Sequence, residues 1–356
     1  MTSKERIQRI LKHQPVDRIG VFEHFWGHTQ SDWCNRGDIP ENVVLEDYFG
    51  LDMQGCWPFN YMIDLDFVPQ VIEENEEWHT MLDGNGATLK TFKYKDGVPE
   101  HIAFRVAEGA DFEGCYEKLT PDPRRINFDM YRWARQSAEQ HNRFFQWAGI
   151  NVFEQMHPVM GHENLLVAMA VEPEFVKKMA LHYANLNIEL MKILFEQEGL
   201  PDGIWFYEDM GYKGTPFFSV DMYREIIMPA HKLTFDYAHS LGLPVIIHSC
   251  GFVDPLVPHM IEAGMDCLQA IEVKAGMDVV SLAERYGNKI ALIGGIDIRT
   301  LQSGNRDLIR DELEEKLPKI MANAPYILHT DHSLPSSIKV EDYQYFLKTG
   351  LEIGKY

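Results

Sequence analysis

The sequence is short of cysteine, short of positive charge relative to negative charge, and has no long apolar run. Its cysteines are an odd number at scattered spacings, namely Cys34, Cys56, Cys115, Cys250 and Cys267. Such spacing does not fit the disulfide framework of a secreted domain, so the chain is expected in a reducing cytoplasm. Apolar runs stay below the ~18 residues that a membrane-spanning helix needs. Residues 1–14 mix charged side chains with Ile7, Ile10 and Leu11, which predicts an amphipathic helix and not a secretion signal.

The charge balance narrows the choice of partners. The chain has 33 Lys+Arg against 54 Asp+Glu, a formal net charge of −21. This balance disfavours nucleic acid and anionic membrane surfaces, since both repel an acidic protein. With 356 residues, 45% of them hydrophobic, residues 1–356 are expected to form one large α/β domain. The assembly is left open, a homodimer included.

Apolar strands alternate with amphipathic helices in the second half of the chain. Strands are predicted over 203–209, 244–250, 265–272, 289–297 and 326–331, with helices between them over 219–241, 255–263, 278–286 and 307–323. Upstream strands are predicted over 19–26, 51–57 and 144–153. Strands that alternate with helices form right-handed β-α-β units and a parallel sheet. About eight of them predict a TIM (β/α)8 barrel preceded by an N-terminal helical segment.

Residues 68–106 do not show the alternation of strands and helices that is typical of a barrel. Apolar and polar residues alternate there around turn signals at Asp83 to Gly86 and at Asp96-Gly97. This pattern predicts β-hairpins inserted between barrel elements. An insertion of this kind is expected to cover one end of the barrel.

The most informative stretch runs from Pro244 to Asp254. His248 and Cys250 are two residues apart at the end of a predicted buried strand, so both side chains leave the same face. Imidazole and thiolate together favour zinc. The alternative is a core histidine beside an inert buried cysteine. A metal site needs at least one more ligand from elsewhere in the chain.

Polar residues follow nearly every predicted strand, where barrel enzymes place their reacting groups. They are Glu208, Asp209, Glu272, Asp297, His329, Asp331 and His332. His332 is favoured as the third ligand over His329, Glu272 and Asp331, and Glu272 is the alternative or a fourth ligand. Glu208 and Asp209 are candidates to orient substrate or transfer protons, or else cap helices and loops. Trp26 and Phe217 are candidate pocket walls, although such residues more often belong to the core.

Several segments together resemble the uroporphyrinogen decarboxylase superfamily. They are Lys12 to Arg18, His248 to Gly251, Ile261 to Asp266, Gly294 to Asp297 and His332 to Pro335. Within the superfamily, the His-x-Cys pair looks like the zinc- and cobalamin-dependent methyltransferase branch. The decarboxylases carry arginines in the first strand, whereas Phe22 to His28 has none.

The resemblance implies zinc, a small methyl donor and a corrinoid protein that carries the cobalamin as partner. Methyltransferases of this branch that act on thiols complete the zinc site with a second cysteine, and His332 matches that position. Two imidazoles and one thiolate leave zinc with a charge of +1, which favours cleavage of a methyl ether such as a methoxylated aromatic compound. A bound Glu272 would remove that preference. Three alternatives stay open: a methylcobalamin:thiol methyltransferase, a tetrapyrrole decarboxylase, and a glycoside hydrolase using Glu208 and Glu272.

Overall fold

Twelve β-strands form two sheets in the computed structural model, which describes residues 1–94 and 99–356. The strands are β1 (Gly20–Val21), β2 (Met53–Cys56), β3 (Gln70–Glu74), β4 (Trp78–Leu82), β5 (Ala87–Phe92), β6 (Glu100–Phe104), β7 (Phe144–Ile150), β8 (Gly203–Tyr207), β9 (Val245–Ser249), β10 (Cys267–Ala270), β11 (Ala291–Ile293) and β12 (Tyr326–Leu328). Eight of them pair in parallel in the order β1-β12-β11-β10-β9-β8-β7-β2. This is the predicted (β/α)8 barrel.

Helices surround the barrel and cover its ends. The α-helices are Ser3–Leu11, Thr29–Arg36, Leu45–Phe49, Gly109–Phe112, Phe128–Gln140, Val152–Met160, His162–Val171, Pro173–Glu198, Val220–Met222, Met228–Ser240, Val257–Ala263, Val279–Tyr286, Ile298–Gln302, Arg306–Asn323 and Val340–Ile353. Short 3-10 turns occupy Glu113–Cys115, Pro123–Arg125, Asp254–Leu256 and Val273–Ala275, and a π-turn spans Tyr223–Ile227. None of the helices among the described residues is long and apolar enough to cross a membrane.

Asp52 joins the two ends of the barrel sheet, β1 and β2. Its backbone N–H donates to the carbonyl of Val21 at 2.8 Å, and its carboxylate accepts the N–H of Val21 at 2.9 Å. The same carboxylate lies 2.9 Å from Arg6 and 2.7 Å from Arg18. Asp52 is fully buried. One side chain therefore closes the barrel and fastens the N-terminal helix to it.

The N-terminal helix closes the amino end of the barrel. Ile7 and Ile10 pack into a buried cluster with Met53, Phe144 and Ala291, which are the first residues of β2, β7 and β11. Gly20 of β1 lies directly against this cluster, since a Cβ there would approach the side chain of Ile7 to 2.6 Å and force the packing to shift. The barrel is therefore sealed with apolar side chains at one end, and its carboxyl end is the open mouth.

The predicted insertion is one four-stranded antiparallel sheet, ordered β3-β4-β5-β6. The turn predicted at Asp83 to Gly86 connects β4 to β5, with the N–H of Gly86 donating to the carbonyl of Asp83 at 3.1 Å. The turn predicted at Asp96-Gly97 lies outside the described residues. Phe104 of β6 packs where a Cβ on Gly161 would stand, so the sheet rests against the loop between two barrel helices.

Most predicted strands are longer than the observed ones, for example 289–297 against Ala291–Ile293. Two of these differences concern residues at the barrel mouth. The strand predicted to end at residue 153 ends at Ile150, and the helix Val152–Met160 begins directly after it. The first strand was predicted over 19–26, but β1 has two residues, and Phe25 returns to the barrel only through a bridge to Leu334. In both cases apolar residues that cover the mouth resemble a continuing strand, because burial and not periodicity selects them.

Replacing Asp52 tests the closure of the barrel. We expect Asp52→Ala to lower the free energy of unfolding by ~3–5 kcal/mol, since it leaves the Arg6 guanidinium buried without this partner. Chemical denaturation followed by circular dichroism measures the change. Asp66→Ala is the control, because its ion pair with Arg124 is exposed and should contribute at most about 1 kcal/mol. Equal losses in the two variants would contradict the closing role.

Candidate metal centre at the barrel mouth

Three potential ligand side chains converge at the open end of the barrel. The ligand atoms of Asp209, His248 and Cys250 all lie within 4.8 Å of one another. Nε2 of His248 is 3.3 Å from Oδ1 of Asp209 and 3.3 Å from Sγ of Cys250. They come from the ends of two adjacent strands, β8 and β9, so the barrel itself brings them together.

Backbone contacts fix the loop that carries Cys250. The N–H of Cys250 donates to Oδ1 of Asp209 at 2.7 Å, and the N–H of Gly251 donates to Oε2 of Glu272 at 2.6 Å. Gly251 has a φ of 76°, and a Cβ there would meet the backbone of Gly211 at 2.3 Å. Only glycine allows the loops after β8 and β9 to approach so closely. The thiol is thus held by two neighbouring strand ends.

The donor set and its spacing fit zinc. Thiolate, imidazole and carboxylate are the three ligand types that zinc accepts. Tetrahedral coordination with metal–ligand bonds of about 2.0–2.3 Å would separate the ligand atoms by roughly 3.3–3.6 Å. The observed separations of 3.3 Å between Nε2 and the other two atoms need only a slight expansion. Three protein ligands would leave one position for substrate, as in catalytic zinc sites.

The three side chains shift one another's pKa values. Burial opposes charge on His248, but Cys250 and Asp209 together raise its pKa well above the usual value. Burial would raise the pKa of the Asp209 carboxyl, but His248 and the Cys250 N–H lower it below the usual value. Burial raises the pKa of the Cys250 thiol despite His248. Without a metal, the cluster therefore holds protons on His248 and Cys250 and a negative charge on Asp209.

Several hydrogen-bonded polar residues inside the barrel, called the inner group below, connect to His248 of the cluster. Nδ1 of His248 is hydrogen bonded to Oε1 of Gln269. The amide nitrogen of Gln269 is 3.4 Å from Nε2 of His329, which is 3.1 Å from Nδ1 of His24. The hydroxyl of Tyr207 is 2.8 Å from Nε2 of His24. These residues form a continuous hydrogen-bonded chain that ends at the cluster.

Burial keeps this inner group uncharged. It lowers the pKa of His329 to about 3 and lowers that of His24 well below the usual value. It raises the pKa of the Tyr207 phenol to about 12. Glu23, whose Oε1 lies 3.2 Å from Nε2 of His329, also has its pKa raised by burial well above the usual value. Neutral partners can each be donor at one atom and acceptor at another.

Aromatic rings form the walls of the mouth. Trp57 stacks on Tyr207 with ring centroids 4.5 Å apart, and Tyr207 lies 4.9 Å from the ring of His248. The sequence-predicted wall residues lie on other sides. Trp26 packs against His332 at 5.6 Å, and Phe217 packs against His162 at 5.1 Å. Trp57 is 44% exposed, so its ring is accessible to a planar ligand.

Glu208 is fully buried and its carboxylate is engaged. It accepts the N–H groups of Phe153 and Glu154 at 2.9 and 3.2 Å, at the start of the helix Val152–Met160. Its Oε1 also lies 2.7 Å from Nε2 of His231. These contacts are those of a helix cap, the alternative role considered for this residue.

Two sequence-predicted ligands lie outside the cluster. Among the described residues, neither Glu272 nor His332 belongs to the group of converging ligand atoms. Glu272 accepts the Gly251 N–H and lies 3.1 Å from the Lys274 ammonium. His332 has Nδ1 3.5 Å from the carbonyl of Ser333 and its ring against Trp26. The structure brings together Asp209, His248 and Cys250 instead.

A histidine group near Asp209 was not singled out from the sequence. Nε2 of His157 is 2.9 Å from Glu154, and the rings of His157 and His162 stack 4.2 Å apart. The ring centroid of His101, in the inserted sheet, lies 6.2 Å from that of His157. Burial lowers the pKa of His162 to about 4. Their spacing in sequence shows no pattern, because the inserted sheet supplies one of them.

The chain is a (β/α)8 barrel whose zinc-type donor set lies at the carboxyl end, where barrel enzymes carry their active sites. The comparison with protein families gives the family itself. The chain belongs to the uroporphyrinogen decarboxylase (URO-D) family, whose model matches residues 146–352. The matched range includes Asp209, His248 and Cys250.

Two individual proteins of Methanosarcina mazei are similar to this chain. A methylated-thiol–coenzyme M methyltransferase of Methanosarcina mazei is 30% identical over 80 residues, which are 22% of this chain and 20% of that protein. The match thus spans about a fifth of that relative. A solved structure of a methyltransferase from Methanosarcina mazei superposes with a TM-score of 0.71 at 14% identity, covering 99% of both chains. This second likeness shows a shared fold.

Zinc binding should depend steeply on pH. His248 and Cys250 both have raised pKa values, so an ion that binds below them displaces about two protons. We expect zinc affinity to rise with pH by up to ~100-fold per unit near neutrality. Competition with a chelator at pH 6, 7 and 8 measures it.

Two variants locate the ion. Asp209→Asn should weaken binding, whereas Cys34→Ser should not, because Cys34 lies outside the cluster in the helix Thr29–Arg36. Zinc affinity that is independent of pH, or unchanged by Asp209→Asn, would place the ion elsewhere.

Proposed function

We propose that the protein is a zinc-dependent methyltransferase that moves a methyl group from a small donor to the cobalamin of a partner corrinoid protein. The convergence of Cys250 Sγ, His248 Nε2 and Asp209 Oδ1 carries this proposal. Family membership alone does not distinguish decarboxylation from methyl transfer. A thiolate-containing zinc site has no part in the metal-free decarboxylation that the sequence resemblance offers as an alternative.

The cluster residues would hold the ion and leave one coordination position for the donor. Bound zinc would act as a Lewis acid that draws electron density from the heteroatom carrying the methyl group. His332 is the sequence-predicted candidate for a further ligand, and its ring lies at the same mouth against Trp26. Glu272 would act through the loop, because it holds the Gly251 N–H next to Cys250.

Aromatic walls favour a methoxylated aromatic donor. Trp57 is partly exposed and stacks on Tyr207, whose ring in turn lies beside His248, and planar rings gain about 0.5–1.5 kcal/mol from such stacking. Phe217 and Trp26 supply apolar surface on other sides of the mouth.

A methylated thiol is the second candidate donor, and Asp209 favours it. The sequence predicted two imidazoles and one thiolate, a set that leaves zinc with a positive charge. With Asp209 in the set, one thiolate and one carboxylate cancel the charge of the ion. The Lewis acidity that favoured an ether oxygen is then weaker, and a soft sulfur atom becomes a suitable fourth ligand.

The contacts of the glutamates count against glycoside hydrolysis. A pair of Glu208 and Glu272 would need both carboxyl groups free to face a sugar. Glu208 is instead fully buried as a helix cap, and Glu272 accepts a loop N–H and pairs with Lys274. The substrate pocket would have to form without either of them.

Methyl transfer to free cob(I)alamin tests the proposal directly. We expect the zinc-loaded protein to form methylcobalamin, followed by its absorbance, with a methoxylated aromatic compound or a methylated thiol. Cys250→Ala should lower the rate at least ~100-fold, since loss of a ligand removes the metal. Cys34→Ser should retain the rate. No methylcobalamin with any donor of either class would refute the function.

Trp57→Ala separates the two donors. For a methoxylated aromatic compound we expect KM to rise about 10-fold, which corresponds to ~1.4 kcal/mol of lost stacking. For a small methylated thiol we expect little change. Trp133→Ala is the control, because Trp133 is 60% exposed on the outer helix Phe128–Gln140. A KM that Trp57→Ala leaves unchanged for an aromatic donor would remove this ring from the pocket.

A further inference from the structure

We propose that Gln269 is a positioning residue that fixes the ring of His248. The backbone carbonyl of Thr330 sets the orientation of the Gln269 amide through His329. The inference deepens the proposed function, since its consequence is metal affinity. Its hydrogen bonds are present in the protein alone, so it can be tested without any metal.

The chain of constraints begins at Thr330. Nδ1 of His329 is hydrogen bonded to the carbonyl oxygen of Thr330, and a carbonyl only accepts. Nδ1 of His329 must therefore carry the proton. A neutral imidazole has a single N–H, so Nε2 of the fully buried His329 is an acceptor. Oε1 of Glu23 lies 3.2 Å from this Nε2 and fits the assignment as a protonated acid, since burial raises the pKa of Glu23 well above the usual value. His24 approaches this Nε2 with its own Nδ1 at 3.1 Å.

The tautomer of His329 then orients the amide of Gln269. One end of the amide lies 3.4 Å from Nε2 of His329 and the other against Nδ1 of His248. An amide oxygen facing the lone pair of His329 would be repelled, whereas the NH2 group can donate to it. Gln269 is only 1% exposed, so water has little room to mediate another arrangement. The amide oxygen therefore faces His248.

The orientation of Gln269 in turn fixes His248. An amide oxygen only accepts, so Nδ1 of His248 carries a proton and the ring is held at that edge. Nε2 is consequently the nitrogen that faces Sγ of Cys250 and Oδ1 of Asp209 at 3.3 Å each. This is the arrangement in which a ligating histidine donates its second N–H to an outer acceptor. His329, a candidate ligand in the sequence, thus supports a ligand instead.

Three variants test the role of Gln269. Gln269→Leu removes the acceptor, and zinc affinity measured against a chelator should fall by about 10–100-fold. Gln269→Glu keeps an acceptor facing Nδ1, so affinity should stay within about threefold of the native value. Gln146→Leu is the matched control: this glutamine of β7 is equally buried, and its Oε1 has no hydrogen-bond partner in the described part of the chain.

The comparison separates positioning from packing. Thermal unfolding confirms that each variant is folded before affinities are compared. A residue that only fills space would give Gln269→Leu native zinc affinity, and that result would overturn the proposal. A loss of equal size in Gln146→Leu would overturn it as well, and so would equal losses in Gln269→Leu and Gln269→Glu.

A metal-free measurement keeps the inference independent of the proposed function. In protein labelled with 15N-histidine, the Nδ1–H of His248 should give a resonance protected from solvent exchange. It should persist in Gln269→Glu and disappear in Gln269→Leu. If the native protein bound no zinc, the proposed function would fail, and this resonance would still decide the role of Gln269. Its absence from the native protein would overturn the inference.

Discussion

The register between β8, β9 and β10 is the constraint on which the site depends. Tyr207 pairs with His248 across one ladder, and His248 pairs with Gln269 across the next. Neighbours in register point to the same side of a sheet, so these three side chains form one row inside the barrel. A shift of one residue in either ladder would turn the row outward. His248 and its support are thus built on strands, and Asp209 and Cys250 lie one or two residues beyond the ends of β8 and β9.

The two ends of the barrel differ in polarity: the amino end is apolar and the carboxyl end is polar. The amino end is filled by Ile7, Ile10 and their apolar neighbours, and Asp52 fastens the helix that delivers them. The carboxyl end contains the buried histidines and the ligand cluster. Because a sealed amino end excludes water from below, the hydrogen bonds of His24, His329 and Gln269 have no competing solvent from that side. The apolar plug therefore helps to keep the polar network in one arrangement.

Sequence alone predicted the barrel, the inserted sheet, and the convergence of His248 and Cys250 at the end of one strand. His248 and Cys250 follow from a spacing of two in an extended segment, which needs no tertiary information. The contact with Asp209 depends on how the loops after β8 and β9 meet at Gly211 and Gly251, and no local pattern encodes that approach. Glu208 was a catalytic candidate because it lies at the end of a predicted strand, where barrel enzymes place reacting groups, and the helix after β7 was not predicted to begin so early. Once that helix begins at Val152, its free N–H groups require a cap, and Glu208 supplies it.

Asp209 also changes what the departure at residue 332 means. The resemblance implied that related thiol methyltransferases use a second cysteine where this chain has His332, and an imidazole there would leave the site more positive. The structure instead gathers a carboxylate from β8 with His248 and Cys250. A carboxylate carries the same charge as the missing thiolate, so a zinc site built from these residues would have the same net charge with a harder ligand. Oxygen donates less electron density than sulfur to a borderline metal, and the difference from a two-cysteine site would then lie in ligand softness and not in charge. Whether zinc prefers a substrate whose methyl group is carried by oxygen or by sulfur should therefore depend on the softness of its protein ligands.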